Sequence, residues 1–201
     1  MQAGSYLAGL GVGLSLIMAI GAQNAFVLKQ GLLRNHVFAV CLFCAASDAA
    51  LIAAGVAGAG AIARNAPWFL QAMRWGGAAF LLWYGLRSAR AAWRGGEALQ
   101  ASAAAAPALG PTLATLAALT WLNPHVWLDT VVLIGSISSA QPDRLGFALG
   151  AMSGSFLFFF SLGYGARLLA PLFARPVSWR VLEAGVALVM WTIAATLILG
   201  D

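Results

Sequence analysis

Residues 1–28 carry no charged side chain before Lys29, and residues 145–166 and 184–200 are equally free of Asp, Glu, Lys and Arg. A helix needs about 20 apolar residues, at about 1.5 Å of rise each, to cross about 30 Å of hydrocarbon. The runs fit that distance. Lipid offers no partner to backbone N–H and C=O groups, so each crossing is expected to be helical. Composition agrees, with 62% of residues apolar and 8% charged, against about 45–50% and about 25% in soluble domains. The first run has no Lys or Arg before it and is too long for the apolar core of a cleavable signal, so it is expected to be a span. The formal net charge of +5 comes from basic residues scattered between apolar stretches. They form no stripe on a soluble face, which argues against a nucleic-acid partner.

The expected fold is an all-α integral membrane protein with six transmembrane helices, at 5–28, 37–62, 67–92, 112–138, 145–167 and 180–199. The third is the least clean, because Arg74 and Arg87 interrupt it; either can snorkel to an interface. Trp68, Trp75, Trp83 and Trp93 on this span suit interfacial anchoring or helix packing. The connections that share one side hold Lys29, Arg34, Arg87, Arg90, Arg94, Arg167, Arg175 and Arg180, against Arg64, Arg74 and Arg144 on the other. That excess puts the first group in the cytoplasm and both termini outside.

The Ala-rich, Pro-containing stretch 95–111 reads as a flexible cytoplasmic linker between a first half, 1–94, and a second, 112–201. A faint echo links Gly21-Ala-Gln-Asn-Ala-Phe-Val-Leu to Thr120-Trp-Leu-Asn-Pro-His-Val-Trp-Leu. Three spans per half is an odd number, so the halves are expected to be inverted repeats. Gly9 and Gly13, and Gly146, Gly150 and Gly154, have GxxxG spacing, suited to close helix approach within a subunit or across a homodimer.

Two carboxylates stand where a bilayer excludes them. Asp48 lies within CAASDAALIAAG and Asp129 within NPHVWLDTVVLIG. Each costs about 2.5–3.5 kcal/mol at a helix centre. Neither helix supplies a cationic neighbour, so they are expected to line a cavity, bind a cation or relay a proton. Arg74 is a candidate counter-ion, either as a permanent partner or as one displaced by substrate. Asn123-Pro124 interrupts span four, because Pro removes a backbone donor and disfavours helix at the residue before it. Gln23-Asn24 marks the corresponding place in span one. A broken helix presents free N–H groups suited to a carboxylate. A zwitterion with an extra positive charge fits this set: break donors around Asn24 and Asn123 for its carboxylate, Asp48 and Asp129 for its cations. His125 can titrate or donate a hydrogen bond there, or pack as a satisfied histidine. Cys41 and Cys44 form a CxxC without further cysteines, so they read as helix filler rather than a metal site. No cofactor is expected.

The stretches GLGVGLSLIMAIGAQNAFVLKQGL, CAASDAAL and TWLNPHVWLDTVVLIGS, in that order and spacing, resemble the lysine exporter (LysE) family, closest to its lysine/arginine branch. The resemblance implies a six-helix bundle in the bacterial inner membrane that exports L-arginine or L-lysine, coupled to the proton-motive force. It also implies that Asp48, Asp129, Gln23, Asn24, Asn123, Pro124 and His125 belong to the transport site. Export rather than uptake comes from the resemblance alone. Rival substrates are neutral amino acids such as threonine or homoserine, which need one acid fewer. Divalent cations are the other rival, and they want more oxygen ligands than two acids and a histidine supply. An intramembrane hydrolase built on Ser153 or Ser155 with His125 is the rival from another class, but nothing in the sequence brings those residues together.

Overall fold

The computed structural model describes residues 2–18, 21–58, 67–94 and 108–199, and every regular element within them is helical. In chain order these are α1 (Ala3–Ile17), α2 (Ala22–Leu33), α3 (Val37–Val56), α4 (Pro67–Arg94), α5 (Leu109–Trp121), α6 (Pro124–Trp127), α7 (Ile134–Ser139), α8 (Arg144–Gly165) and α9 (Pro176–Leu199). The chain runs from α6 to α7 through a π-helical segment, Leu128–Leu133. Of the stretch 95–111 expected as a linker, residues 95–107 lie outside the described residues, and Leu109 to Pro111 already form the first turn of α5.

Among the described residues, three stretches, Val37–Gly58, Arg144–Leu169 and Pro176–Leu199, are long and apolar enough to cross a membrane as single spans. α4 has the length, at 28 residues, but Arg74, Arg87, Arg90 and Arg94 dilute its hydropathy. Trp68, Trp75, Trp83 and Trp93 on α4 are all more than half exposed, facing away from the bundle as interfacial anchors do.

The expectation of one continuous helix over 5–28 needs correction. α1 ends at Ile17 and α2 starts at Ala22, with their axes 83° apart. Gly21 takes an extended conformation as the N-cap of α2, and Asn24 Nδ2 donates to the Ile17 carbonyl across the break at 2.7 Å. A carbonyl freed in lipid needs such a partner. The break in span four is where the proline puts it. Asn123 caps α6, its Oδ1 accepting from the His125 N–H at 3.1 Å, and Pro124 occupies the first turn, where its missing N–H costs nothing. Trp127 Nε1 donates to the Trp121 carbonyl at 3.1 Å, satisfying the end of α5.

Small residues set how closely the helices approach. α1 and α8 run parallel with their backbones nearly touching: Gly9 faces the Phe147 backbone, Gly13 faces Ala151, and Gly150 faces Tyr6. Gly9, Gly13 and Gly150 of the GxxxG stripes are thus used inside one subunit. A Cβ at Gly9 would overlap the Phe147 carbonyl, so Gly9→Val is expected to destabilise the bundle by about 1–3 kcal/mol. A lower melting temperature in detergent would register it. α4 and α9 run antiparallel, with the Arg180 Nε donating to the Ala92 carbonyl at 3.0 Å at one end and Arg74 meeting the last turn of α9 at the other.

Asp143 fastens α1 to α8. Its Oδ1 accepts from the Gly146 N–H and its Oδ2 from the Gln2 N–H, both at 2.8 Å. These two bonds hold its carboxyl below the usual carboxylate range. A depressed pKa stabilises the fold above the unfolded-state value, about 3.9, and that contribution disappears as pH falls through the folded-state value. Asp143→Ala is therefore expected to lower the melting temperature at neutral pH. The gap from the wild type should close as the scan is repeated below about pH 4.

Candidate functional site

A cavity of about 260 Å³ opens where the two helix breaks meet α3, α8 and α9. The end of α1 and the start of α2 contribute Ile17, Gly21, Gln23 and Asn24; α3 contributes Asp48 and Ile52. The second break and the π-helical segment contribute Asn123, His125, Asp129 and Thr130, α8 adds Ser155, and α9 adds Ile193 and Thr196. The fold thus gathers Gln23, Asn24, Asp48, Asn123, His125 and Asp129 around one space. Pro124 is buried beside it as the first residue of α6.

The two acids occupy different depths. Asp48 is 5% exposed and forms the floor, its Oδ2 accepting from Ser155 Oγ at 3.1 Å. Asp129 is exposed, as is His125 one turn before it, and the two form the mouth. No Lys or Arg is among the described residues that line it. A cavity with two carboxylates and no fixed cation concentrates positive charge. Gln23 Nε2 is buried on the same wall beside the Cys44 thiol, without an oxygen or nitrogen partner among the described residues.

Asp129 is carried by the π-helical segment, whose i→i+5 pattern widens the helix. This segment and the start of α7 pack on α3 through glycines: a Cβ at Gly55 would come within 2.6 Å of the Val131 carbonyl, and one at Gly135 within 2.5 Å of the Gly55 carbonyl. Backbone contact between the two elements fixes the spacing of Asp48 and Asp129.

Arg74 stands elsewhere. Its Nε donates to the Leu197 carbonyl and its Nη2 to the Ile198 carbonyl at 2.9 Å. It satisfies carbonyls that the end of α9 leaves orphaned, and among the described residues it pairs with neither aspartate. Cys41 Sγ donates to the Phe159 carbonyl at 3.2 Å, and Cys44 is fully buried, as packing residues. Ser153 Oγ bonds its own helix at the Leu149 carbonyl, 2.7 Å away, rather than His125.

Sequence reasoning missed two features. Ser155 reads as one more small packing residue of a Ser-Gly-Ser stretch, yet it holds Asp48. Glu183 escapes notice at the edge of the last apolar run, yet it is buried in an ion pair with Lys29. An acid within a predicted span was the available signal.

Residues 14–201 match the family profile described as LysE type translocator. The chain is 41% identical over 191 residues to arginine exporter proteins ArgO of Salmonella schwarzengrund (strain CVM19633), Salmonella enteritidis PT4 (strain P125109) and Salmonella typhimurium (strain LT2). Each alignment covers 94% of this chain and 90% of the relative. No solved structure matches the chain.

Proposed function

This chain belongs to the LysE translocator family, a transporter rather than an enzyme, and from that premise we propose that it exports L-arginine, with L-lysine as second substrate, across the bacterial inner membrane. The observation that carries the proposal is the cavity in which Asp48 and Asp129 face one space with no Lys or Arg among its described lining residues. An arginine or lysine brings two positive charges and one carboxylate to it. The guanidinium or ammonium pairs with one aspartate and the α-ammonium with the other. Gln23, Asn24 and the side-chain amide of Asn123 receive the α-carboxylate, and His125 lies within the same lining. In the outward step a proton replaces the departing cation on one of the acids, coupling export to the proton-motive force.

The architecture we infer has six crossings in two inverted halves: α1–α2, α3 and α4, then α5–α7, α8 and α9. Its support is that each half opens on a broken helix, bridged by the Asn24 side chain in one and N-capped by Asn123 in the other, followed by two unbroken ones. With the Arg-rich ends in the cytoplasm, both termini face the periplasm. The hydrogen bond between Gln2 and Asp143 is consistent with that arrangement, since it joins the start of the chain to the turn between spans four and five.

Efflux of labelled arginine and lysine from proteoliposomes, with and without an imposed pH gradient, tests the proposal. Saturable efflux accelerated by the gradient is the expected result. A folded protein that moves neither amino acid would contradict it.

A further inference from the structure

Lys29, late in α2, and Glu183, in the second turn of α9, form an ion pair away from the cavity just described. Glu183 is 8% exposed; Lys29 occupies its Oε1, while Oε2 is buried and has no hydrogen-bond partner among the described residues. A buried pair that serves only to hold two helices is favourable when its remaining lone pairs are also satisfied. Here half of the carboxylate is left waiting. Lys29 meets only one oxygen here; its ammonium is a point charge without a fixed fork, whereas a guanidinium presents parallel donors that match both carboxylate oxygens.

The position of the pair matters as much as its chemistry. α2 and α9 both wall the cavity, through Gln23 and Asn24 and through Ile193 and Thr196. Glu183 lies about 15 Å before Ile193 along α9, and Lys29 about 8 Å beyond Asn24 along α2. Phe26, one turn before Lys29 on α2, meets Tyr84 edge to face at 6.2 Å, and both belong to the core cluster that includes Met190, two turns beyond Glu183 on α9. The pair sits toward the end where α2 gives way to Arg34 and α9 begins after Arg175. In the orientation proposed above, that end faces the cytoplasm.

We propose that Glu183 is a second cation-binding site on the transport path, a way station for the guanidinium or alkylammonium end of the substrate, in which Lys29 holds the place between passages. The site rests on the reading of the chain as a basic amino-acid exporter and extends it. Substrate arriving from the cytoplasm displaces the Lys29 ammonium from Glu183, gains both carboxylate oxygens, and moves from there past Phe26 and Tyr84 to Asp48. Lys29 then returns, so the carboxylate is never left without a counter-charge.

Arginine uptake into everted membrane vesicles presents substrate to the cytoplasmic face of the full chain and tests this. Two variants are compared with the wild type: Lys29→Met/Glu183→Gln, which leaves no charge unpaired, and Lys29→Arg, which keeps the pair but fills both oxygens. Removing both partners of a merely structural pair is close to neutral. The way station predicts instead a KM for arginine raised roughly 10- to 100-fold in the double variant, as loss of a charge-assisted contact implies. It predicts a higher KM in Lys29→Arg too, because a tethered guanidinium is the harder competitor to displace. A wild-type KM in both variants overturns the site while leaving the exporter reading intact. If the double variant does not reach the membrane, Lys29→Arg alone decides, and an unchanged or lower KM overturns the site. A wild type that moves no arginine overturns both the site and the reading beneath it.

Discussion

Asp48→Asn is expected to abolish arginine export while leaving the protein inserted and folded. The substitution keeps the shape of the side chain and the capacity to accept a hydrogen bond from Ser155 Oγ, so the floor of the cavity is preserved. What it removes is the counter-charge for the substrate. Breaking a buried, hydrogen-bonded charge pair costs about 2–5 kcal/mol, or roughly 30- to several-thousand-fold in affinity. Asp129→Asn is expected to act in the same direction and more weakly, because Asp129 is exposed at the mouth, where water screens its charge. The ranking distinguishes this account from one in which the two acids are interchangeable. Initial efflux rates from vesicles with matched protein content provide the measurement, and normal rates in both variants would remove the aspartates from the site.

The second large effect concerns spacing rather than charge. Gly55→Val places a branched side chain against the Val131 carbonyl, where no room exists for even a Cβ. α3 carries Asp48 and the π-helical segment carries Asp129, so a shift between these elements moves the two acids relative to one another. A misplacement of about 1 Å costs a positioned site on the order of a hundredfold in rate. Gly135→Val strains the same contact from the other side and is expected to give a similar loss. Gly76→Val is the control: nothing lies within 4 Å of a Cβ at Gly76, and its transport should match that of the wild type. Equal losses at Gly55 and Gly76 would mean that the effect is general helix destabilisation.

Much of this was legible in the amino-acid order because lipid leaves the chain few choices. Long uncharged runs have to be helices, and an acid within one has to face protein or water. That logic singles out Asp48 and Asp129, and the structure brings them to one cavity. Pro124 announces the second break because a ring in place of an N–H has a definite consequence. The first break has no such marker. Gly21 does the same work as an extended cap, but a glycine among Gly9, Gly11 and Gly13 does not stand out. The π-helical course of Leu128–Leu133 is hidden for a related reason: its residues are ordinary helix formers, and the wider turn follows from how the segment meets α3. Arg74 shows the limit of pairing by charge alone. Its own helix carries no acid, which leaves Asp48 and Asp129 of other elements as the candidate partners, yet the open carbonyls at the end of α9 hold it. The pairing of Lys29 with Glu183 and of Ser155 with Asp48 joins residues far apart in the chain, which local pattern does not reveal.

The central claim is that two carboxylates read positive charge on an amino acid. Citrulline has the length and shape of arginine with a neutral urea in place of the guanidinium. Equilibrium binding of labelled arginine to the purified wild-type chain, with arginine and citrulline as unlabelled competitors, tests the claim most directly. The account predicts displacement by arginine, little or none by citrulline at the same concentration, and no saturable binding to Asp48→Asn/Asp129→Asn. Citrulline competing as well as arginine, or arginine binding undiminished in the double variant, would contradict it.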